Sequence, residues 1–420
     1  MLLEYAKLYY SDRLRDFSDS SLGGLFLDFA AAVGDNLSFY LDHQFGELDP
    51  STAVETLNIQ RLLIAAGVPI TGAAPALVPI TLYVQVPANS SANSIGPSIS
   101  AIPVIQQESI FTSDAGIDFI LLEDVDFTAT KADGSYTAQI MIGQKNPNGT
   151  PLTYVMVLSG LAVSGKYTTE TIQIGATFVP FRTMTLSNSD VSEIVQVTDD
   201  LGNAYYEVDQ LSNDVVYRNV LNTNSDNDIV PNVIKVIPAP YRYTTSVDLT
   251  TRSTTLTFGG GNADTLTNSI IPDPSEFAIS FPYSKTFSRI PVNPQQLLQT
   301  STLGVATTNT NLSVTYRYGG GLNHNSSVNS IKTIKSLNIT FPANPAPNVA
   351  AFVKSNVQCN NQIPATGADD APQTKDLTAL IPATKNSQER IVTREDLLAR
   401  VYTIPANFGR VFRAAIRSNP

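Results

Sequence analysis

TTLTFGGGN (Thr254–Asn262) and TNLSVTYRYGGGLNHN (Thr310–Asn325) decide the fold class, because each is an alternating run that ends in three glycines. In the second run Leu312, Val314, Tyr316 and Tyr318 fall on one side of an extended chain, and Ser313, Thr315 and Arg317 on the other. In the first, Leu256 and Phe258 oppose Thr255 and Thr257. A period of two is the mark of a strand with one buried face, so both runs are expected as β. Gly259–Gly261 and Gly319–Gly321 permit positive φ and close backbone approach, which suits sharp turns or bulges. A glycine-rich loop after a strand also cradles phosphate, but only with a Lys–Ser/Thr pair or a GxGxxG turn opening a helix. Asn262-Ala263-Asp264 and Leu322-Asn323-His324 follow here instead. The glycines read as structural.

Between the runs lie IPDPSEF (Ile271–Phe277) and IPVNPQQLLQTSTLGV (Ile290–Val305), where closely spaced prolines exclude long regular elements. Upstream, residues 129–240 hold short strands with turn signals at Asp133-Gly134, Asn148-Gly149 and Leu201-Gly202-Asn203, as in a mostly antiparallel domain. Asn222, Asn224, Asp226 and Asp228 alternate like a calcium loop. That reading fails, because Asn227 stands where glycine is needed and Val233 where a bidentate glutamate is needed. From Pro75 to Phe127 the pattern is again β, with PITLYVQVP (Pro79–Pro87) as a half-buried strand and Ala88–Ser100 as a loop.

Residues 1–67 read as helices. Leu22, Leu25, Phe26, Phe29, Ala30, Val33, Leu37, Tyr40 and Leu41 keep i, i+3, i+4 spacing, with Ser20 or Ser21 as cap. Such a helix of about 25 residues is about 37 Å long. Asp28, Asp35 and Asp42 recur on the opposite face, as a solvated rail or a partner-binding stripe. Asp49-Pro50 is expected to open the next helix, which Val54, Leu57, Leu62, Leu63 and Ala66 carry to Gly67. After the glycine-flanked block, PANPAP (Pro342–Pro347) is a stiff connector. A short helix is expected over Pro372–Ile381, with Asp369 and Asp370 at its start and Pro382 ending it. Thr393 is expected to cap a last helix, with Asp396 completing a capping box and Leu397, Leu398 and Val401 as buried face. FGRVFRAAI (Phe408–Ile416) is expected to close the chain as a strand.

Three of these stretches carry a family resemblance. The series FGGGN, IPDPSEF, NPQQLLQTSTLG and LSVTYRYGGGLNHN resembles the β-region of wedge proteins from contractile phage-tail baseplates, in the baseplate J-like group. LGGLFLDFAAAVGDNLSFYLDHQFGELDPSTAVETLNIQRLLIAAGVPITG is similar to the helix, acidic elbow and second helix of that family. RIVTREDLLARVYTIPANFGRVFRA resembles its R-x-V-T-x-x-D helix and following strand; PATGADDAPQTKDL departs from the usual double glycine and Glu-Ser. The resemblance covers most of 1–87, 241–325 and 349–417 and is weakest over 129–220. It implies copies that associate, as a dimer, with one another and with other wedge proteins in a ring around a central hub that rearranges on contraction. It also implies a virion location, with assembly in the host cytoplasm.

Candidate chemistry is sparse. His43 and His324 lie in unrelated segments, and Cys359 in QCNNQ has no local His or basic group. Glu123, Asp124 and Asp126 are a carboxylate group of the type glycosidases use, in a strand–turn context that favours solvation. The absence of Trp removes the commonest sugar-stacking platform. A formal charge of −11 disfavours non-specific nucleic-acid binding. A single cysteine fits a reducing compartment, and no apolar stretch approaches bilayer-spanning length. MLLEYAKLYYSDRLRDF shows no signal-peptide pattern, so a soluble protein made in a cytosol is expected. Charge is uneven: residues 1–50 carry nine acids against three bases, and residues 390–420 six arginines against two acids. Opposite signs at opposite ends suit docking between subunits or pairing within one chain.

The expected architecture is α+β: an N-terminal helical region (1–72), a first β domain (73–128), an inserted mostly β domain (129–240), a glycine-flanked β domain (241–341) and a C-terminal α/β unit (342–420). The expected function is that of a structural wedge subunit, not an enzyme, with no catalytic or metal residues, no cofactor, no small-molecule substrate, and no nucleic-acid or membrane partner. The alternative is a tail-associated adhesin or glycan-active protein on a β scaffold. Candidate interface residues are Leu22, Phe26, Phe29, Val33, Leu37, Tyr40 and Leu41 on the long helix, and Arg400, Arg410, Arg413 and Arg417 in the tail.

Overall fold

The computed structural model describes residues 2–9, 22–89, 96–131, 133–222, 230, 232–262, 303–387, 390–405 and 409–417. The class is α+β. Helices are α1 (Leu2–Tyr9), α2 (Leu22–Gly46), α3 (Thr56–Ala66), α4 (Pro347–Ser355), α5 (Thr374–Ser387) and α6 (Arg394–Tyr402). The chain forms two units, Met1–Pro69 with Thr374–Arg390, and Ile70–Gln373 with Ile391–Pro420.

In the helical unit, α2 has the expected 25 residues. Ile59, Leu63 and Ala66 make the buried face of α3, and Leu377 and Ile381 that of α5; the two helices pack on each other. Gly67 ends α3 in the left-handed region at φ 74°, and the Val68 N–H closes on the Leu63 carbonyl at 3.0 Å, as the sequence led one to expect. The start of α3 differs from expectation: it is Thr56, not Pro50. The Asp49 carboxylate is turned into a local loop by the Ser51 N–H at 2.8 Å and its hydroxyl at 2.7 Å. Glu47 takes over as the acceptor at the helix start. It is 5% exposed and receives the Val54 N–H at 2.9 Å, the Asn58 side-chain amide at 3.0 Å and the Glu55 N–H. The bonds from Val54 and Asn58 hold its carboxyl below the usual carboxylate range.

Pro382, expected to end its helix, lies inside α5. An interior proline costs about 3 kcal/mol. Burial of Leu377 and Ile381, worth about 1.5–3 kcal/mol each, offsets it.

In the β unit the chain first makes β1 (Leu77–Pro87), β2 (Val104–Ile105), β3 (Ile110–Ser113), β4 (Asp118–Leu121), β5 (Val125–Asp126), β6 (Gln139–Ile142) and β7 (Thr153–Ser164). Next come β8 (Lys166–Ile174), β9 (Thr183–Ser189), β10 (Val191–Asp199), β11 (Ala204–Glu207), β12 (Val215–Leu221), β13 (Asn232–Pro238), β14 (Arg242–Val247), β15 (Ser253–Phe258) and β16 (Thr310–Tyr318). The last are β17 (Ile331–Ser336), β18 (Ile339–Thr340) and β19 (Val357–Asn360).

The first seven-stranded sheet runs β17-β3-β4-β7-β1-β19, with β6 also on β7. Val78, Ile80, Leu82, Val84 and Val86 of β1 are all at 0% exposure. They pack with Phe111, Phe119 and Phe127 in one core. The second seven-stranded sheet runs β8-β16-β10-β11-β14-β15-β9, antiparallel except for β11–β14. Its edges meet: the Ser187 N–H of β9 donates to the Glu170 carboxylate of β8 at 3.1 Å, and the Tyr316 hydroxyl donates to the same group. This side-chain bridge, without a ladder, leaves the sheet curled into a partly open barrel over Tyr243, Leu256, Phe258, Leu312, Val314 and Tyr316, which includes the apolar faces of both glycine-terminated runs.

The whole barrel is inserted between β7 and β17 of the first sheet. The divisions drawn at 128/129 and 240/241 therefore do not follow the sheets, since β6 and β7 belong with β1 while β8 and β16 are ladder partners. The glycines are structural, as expected. A Cβ on Gly259 would stand 2.4 Å from the Gly304 carbonyl carbon, and one on Gly320 would stand 2.7 Å from the Ala74 oxygen. Gly319 and Gly321 have φ of 95° and 103°. Gly134, Gly149 and Gly202 also lie at positive φ in the expected turns.

At the C-terminus Thr393 and Asp396 form the expected capping box. Two other expectations fail. The buried residue of α6 is Ala399, while Leu397 is 37% exposed and Leu398 and Val401 are half-buried. Residues 409–417 form no strand, and Phe412 is 58% exposed. Gly409 and Arg410 instead run beside Gly367, whose carbonyl accepts the Arg410 N–H at 2.8 Å, so the backbone groups are engaged without a ladder.

Candidate functional site

The most unusual surface is α2. None of its residues from Leu25 to Phe45 is buried. Phe26, Phe29, Leu37 and Tyr40 are 62–68% exposed, Leu41 54% and Val33 47%. The Leu22 side chain lies outside the described residues. At 100° per residue Phe26, Phe29, Val33, Leu37 and Tyr40 form one stripe, and Asp28, Asp35 and Asp42, all exposed, form the opposite rail. Monomeric proteins rarely leave a contiguous apolar patch of this extent bare. Covering the rings of Phe26, Phe29 and Tyr40 alone would remove about 300–500 Å² from water, a gross gain of about 7–12 kcal/mol. That is comparable with the rotational and translational cost of association, about 4–15 kcal/mol.

The tail arginines separate. Arg410 is engaged within the chain: its guanidinium meets the Asp369 carboxylate at 2.6 Å and the Asp370 carbonyl at 2.9 Å, and both ion-pair members are 24% exposed. Arg400, Arg413 and Arg417 are exposed. Of the four, Arg410 thus has an acidic partner within its own chain.

Other polar groups have local roles. The Asp124 carboxylate accepts the Gln107 N–H at 2.7 Å, and Asp126 accepts the Thr128 N–H at 2.7 Å, whereas Glu123 is exposed. His43 stacks on Phe39 with ring centres 6.2 Å apart and reaches Glu55 at 3.5 Å. Cys359 is 6% exposed, and burial pushes its thiol up to about 11. Asn224, Asp226 and Asp228 lie outside the described residues, as does the stretch 263–302.

One pair was not visible in the sequence. His324 Nδ1 lies 2.8 Å from the Ser164 hydroxyl, across 160 residues. This resembles half of a nucleophile–base pair. Yet Ser164 is at 0% exposure and its oxygen accepts the Ala76 N–H at 2.8 Å, so the pair ties three backbone segments together and offers no route for a substrate. Burial, with Lys166 nearby, holds the His324 imidazole below its ordinary range. Among the described residues no group of three or more His, Cys, Asp or Glu is placed to hold a metal ion, and no helix is long and apolar enough to cross a membrane. Compared with known protein families and with curated proteins, the chain matches none.

Proposed function

We propose that this chain is a structural wedge subunit of a contractile phage-tail baseplate, acting by assembly and without catalytic turnover. The observation that carries the reading is the bare apolar stripe of α2, which has the length and chemistry of a helix awaiting other helices. The baseplate assignment draws on the resemblance of the helical pair, the glycine-flanked block and the capped last helix. In this reading α2 joins a second copy and other wedge proteins in a ring around the hub, in the virion, and the ring rearranges when the sheath contracts.

The test is a full-length chain with Phe29→Asp and Leu37→Asp. Both side chains are more than 60% exposed, so the monomer should melt as the unaltered protein does. Co-assembly with wedge partners, scored by electron microscopy of baseplates, should be lost. Normal incorporation of the double variant would overturn the proposal. The adhesin or glycan-active alternative gains if the purified chain is an intertwined trimer or cleaves glycans in a manner abolished at Glu123, Asp124 or Asp126.

A further inference from the structure

At the mouth of the barrel lies an open cleft of about 220 Å³. Alternation along three strands explains its polar lining. Glu207 stands two residues from Tyr205, Thr245 two from Tyr243, and Thr254 two from Leu256, and all three partners are core residues. The same face that buries these apolar side chains therefore turns Glu207, Thr245 and Thr254 toward the lumen. Val191, Ile194 and Val247 supply an apolar collar, and Pro405 of the C-terminal segment sits at the rim.

Two groups in this cleft are incompletely served. Glu207 is exposed at the opening of the cleft and accepts the Thr245 hydroxyl at 2.6 Å. The surrounding strands still remove enough water to push its carboxyl above the usual range, and Asp209 and Glu193 act in the same direction. Thr254 is 3% exposed, and its hydroxyl has no hydrogen-bond partner among the described residues. Glu193, on the same wall, is already engaged by the buried Arg317 at 2.9 Å.

We propose that the barrel mouth binds a primary alkylammonium group, with its charge on Glu207, an N–H on the Thr254 hydroxyl and its methylene stem in the Val191–Ile194–Val247 collar. An ammonium carries three divergent donors on a compact charge, which suits acceptors placed on separate strands. A guanidinium fork asks for two coplanar acceptors. The volume is below the roughly 300–1,000 Å³ of pockets for drug-sized ligands, so the cleft takes a side-chain-sized group and not a nucleotide or a sugar chain. The same chemistry is offered by a lysine of another protein and by a free alkyl diamine.

Calorimetric titration of the full chain with Nα-acetyl-lysine N-methylamide and with cadaverine tests this. Saturable one-site binding is expected, weakened about tenfold or more in Glu207→Gln and in Thr254→Val, since each removes one hydrogen bond to a charged group. Tighter binding of the blocked lysine assigns the site to a partner's side chain, and tighter binding of cadaverine to a free amine; either supports the proposal. Both substitutions preserve size, and 1-pentanol against the unaltered chain gives a control that needs no variant. Absence of saturable binding, equal binding by both variants, or pentanol binding as tightly as the amines overturns it.

Discussion

The phenylalanines of the two sheets and those of the long helix have opposite fates. In the β unit Phe111, Phe119, Phe127 and Phe258 are all at 0% exposure, whereas in the helical unit Phe26, Phe29, Phe39 and Phe45 are 65–71% exposed. The residue type is the same, so the difference lies in what the local architecture can cover. The two seven-stranded sheets of the larger unit each pack one face on a core, which lets alternate residues converge there. Among the described residues of the helical unit α3 packs on α5, and α2 lies outside that contact with its apolar stripe uncovered. Stability should therefore reside in the β unit and association in the helical one.

That contrast can be broken by substitution. Phe258→Ala should cost about 3–5 kcal/mol in chemical denaturation, because it opens a cavity among packed barrel side chains. A loss below about 1 kcal/mol would mean that the barrel core is not close-packed. Gly320→Ala should cost about 1–3 kcal/mol, since its Cβ would meet the Ala73 and Ala74 oxygens at 2.8 and 2.7 Å and backbone must move.

Charge reversal sharpens the division of the tail. Arg410→Glu should lower the monomer's stability by about 1–3 kcal/mol, because it removes charge-assisted bonds to Asp369 and the Asp370 carbonyl. Arg413→Glu, on an exposed residue, should leave denaturation unchanged within about 0.5 kcal/mol. Equal effects from the two would mean that the Asp369 pair contributes nothing. Phe29→Ala should also stay within about 0.5 kcal/mol in the monomer, in contrast to Phe258→Ala.

The smallest effect concerns pH. His324 is depressed below its ordinary 6.5, so the unfolded chain takes up the proton first and stability falls as pH drops through that value. The stabilising contribution is fully present above that range. His324→Asn should flatten the stability profile between neutral and mildly acidic pH, and an unchanged slope would show that other groups set it.

Local pattern made part of this molecule legible. The 25-residue α2, the Gly67 ending, the Thr393–Asp396 capping box and the strands of the two glycine-terminated runs are all encoded over a few residues. A helix cap or a period of two is a short-range signal and survives in any surroundings that tolerate it. The apolar stripe of α2 was equally visible as a stripe. Whether its own chain would cover it was not, because periodicity shows which side is apolar and not what lies opposite.

Tertiary structure decided the rest. Nothing in Lys166–Ile174 announces that it pairs with Thr310–Tyr318, because alternation carries no address for a partner strand. Arg317 shows the same limit: it belongs to the polar side of its strand, yet it is at 0% exposure, with its stem against Gly165 and its Nε bonded to the Ser192 hydroxyl at 3.1 Å. Pro382 continued a helix because α3 supplied buried contacts, and the expected closing strand found no ladder partner. His324 and Ser164, or Glu207 and Thr254, become neighbours only when distant strands are brought into register. The sequence thus determined the long helix, two helix ends and the alternating strands, and which of their faces are apolar, since those depend on near neighbours. Pairing, burial and the assembly of polar groups depend on contacts across long loops, and these only the folded chain settles.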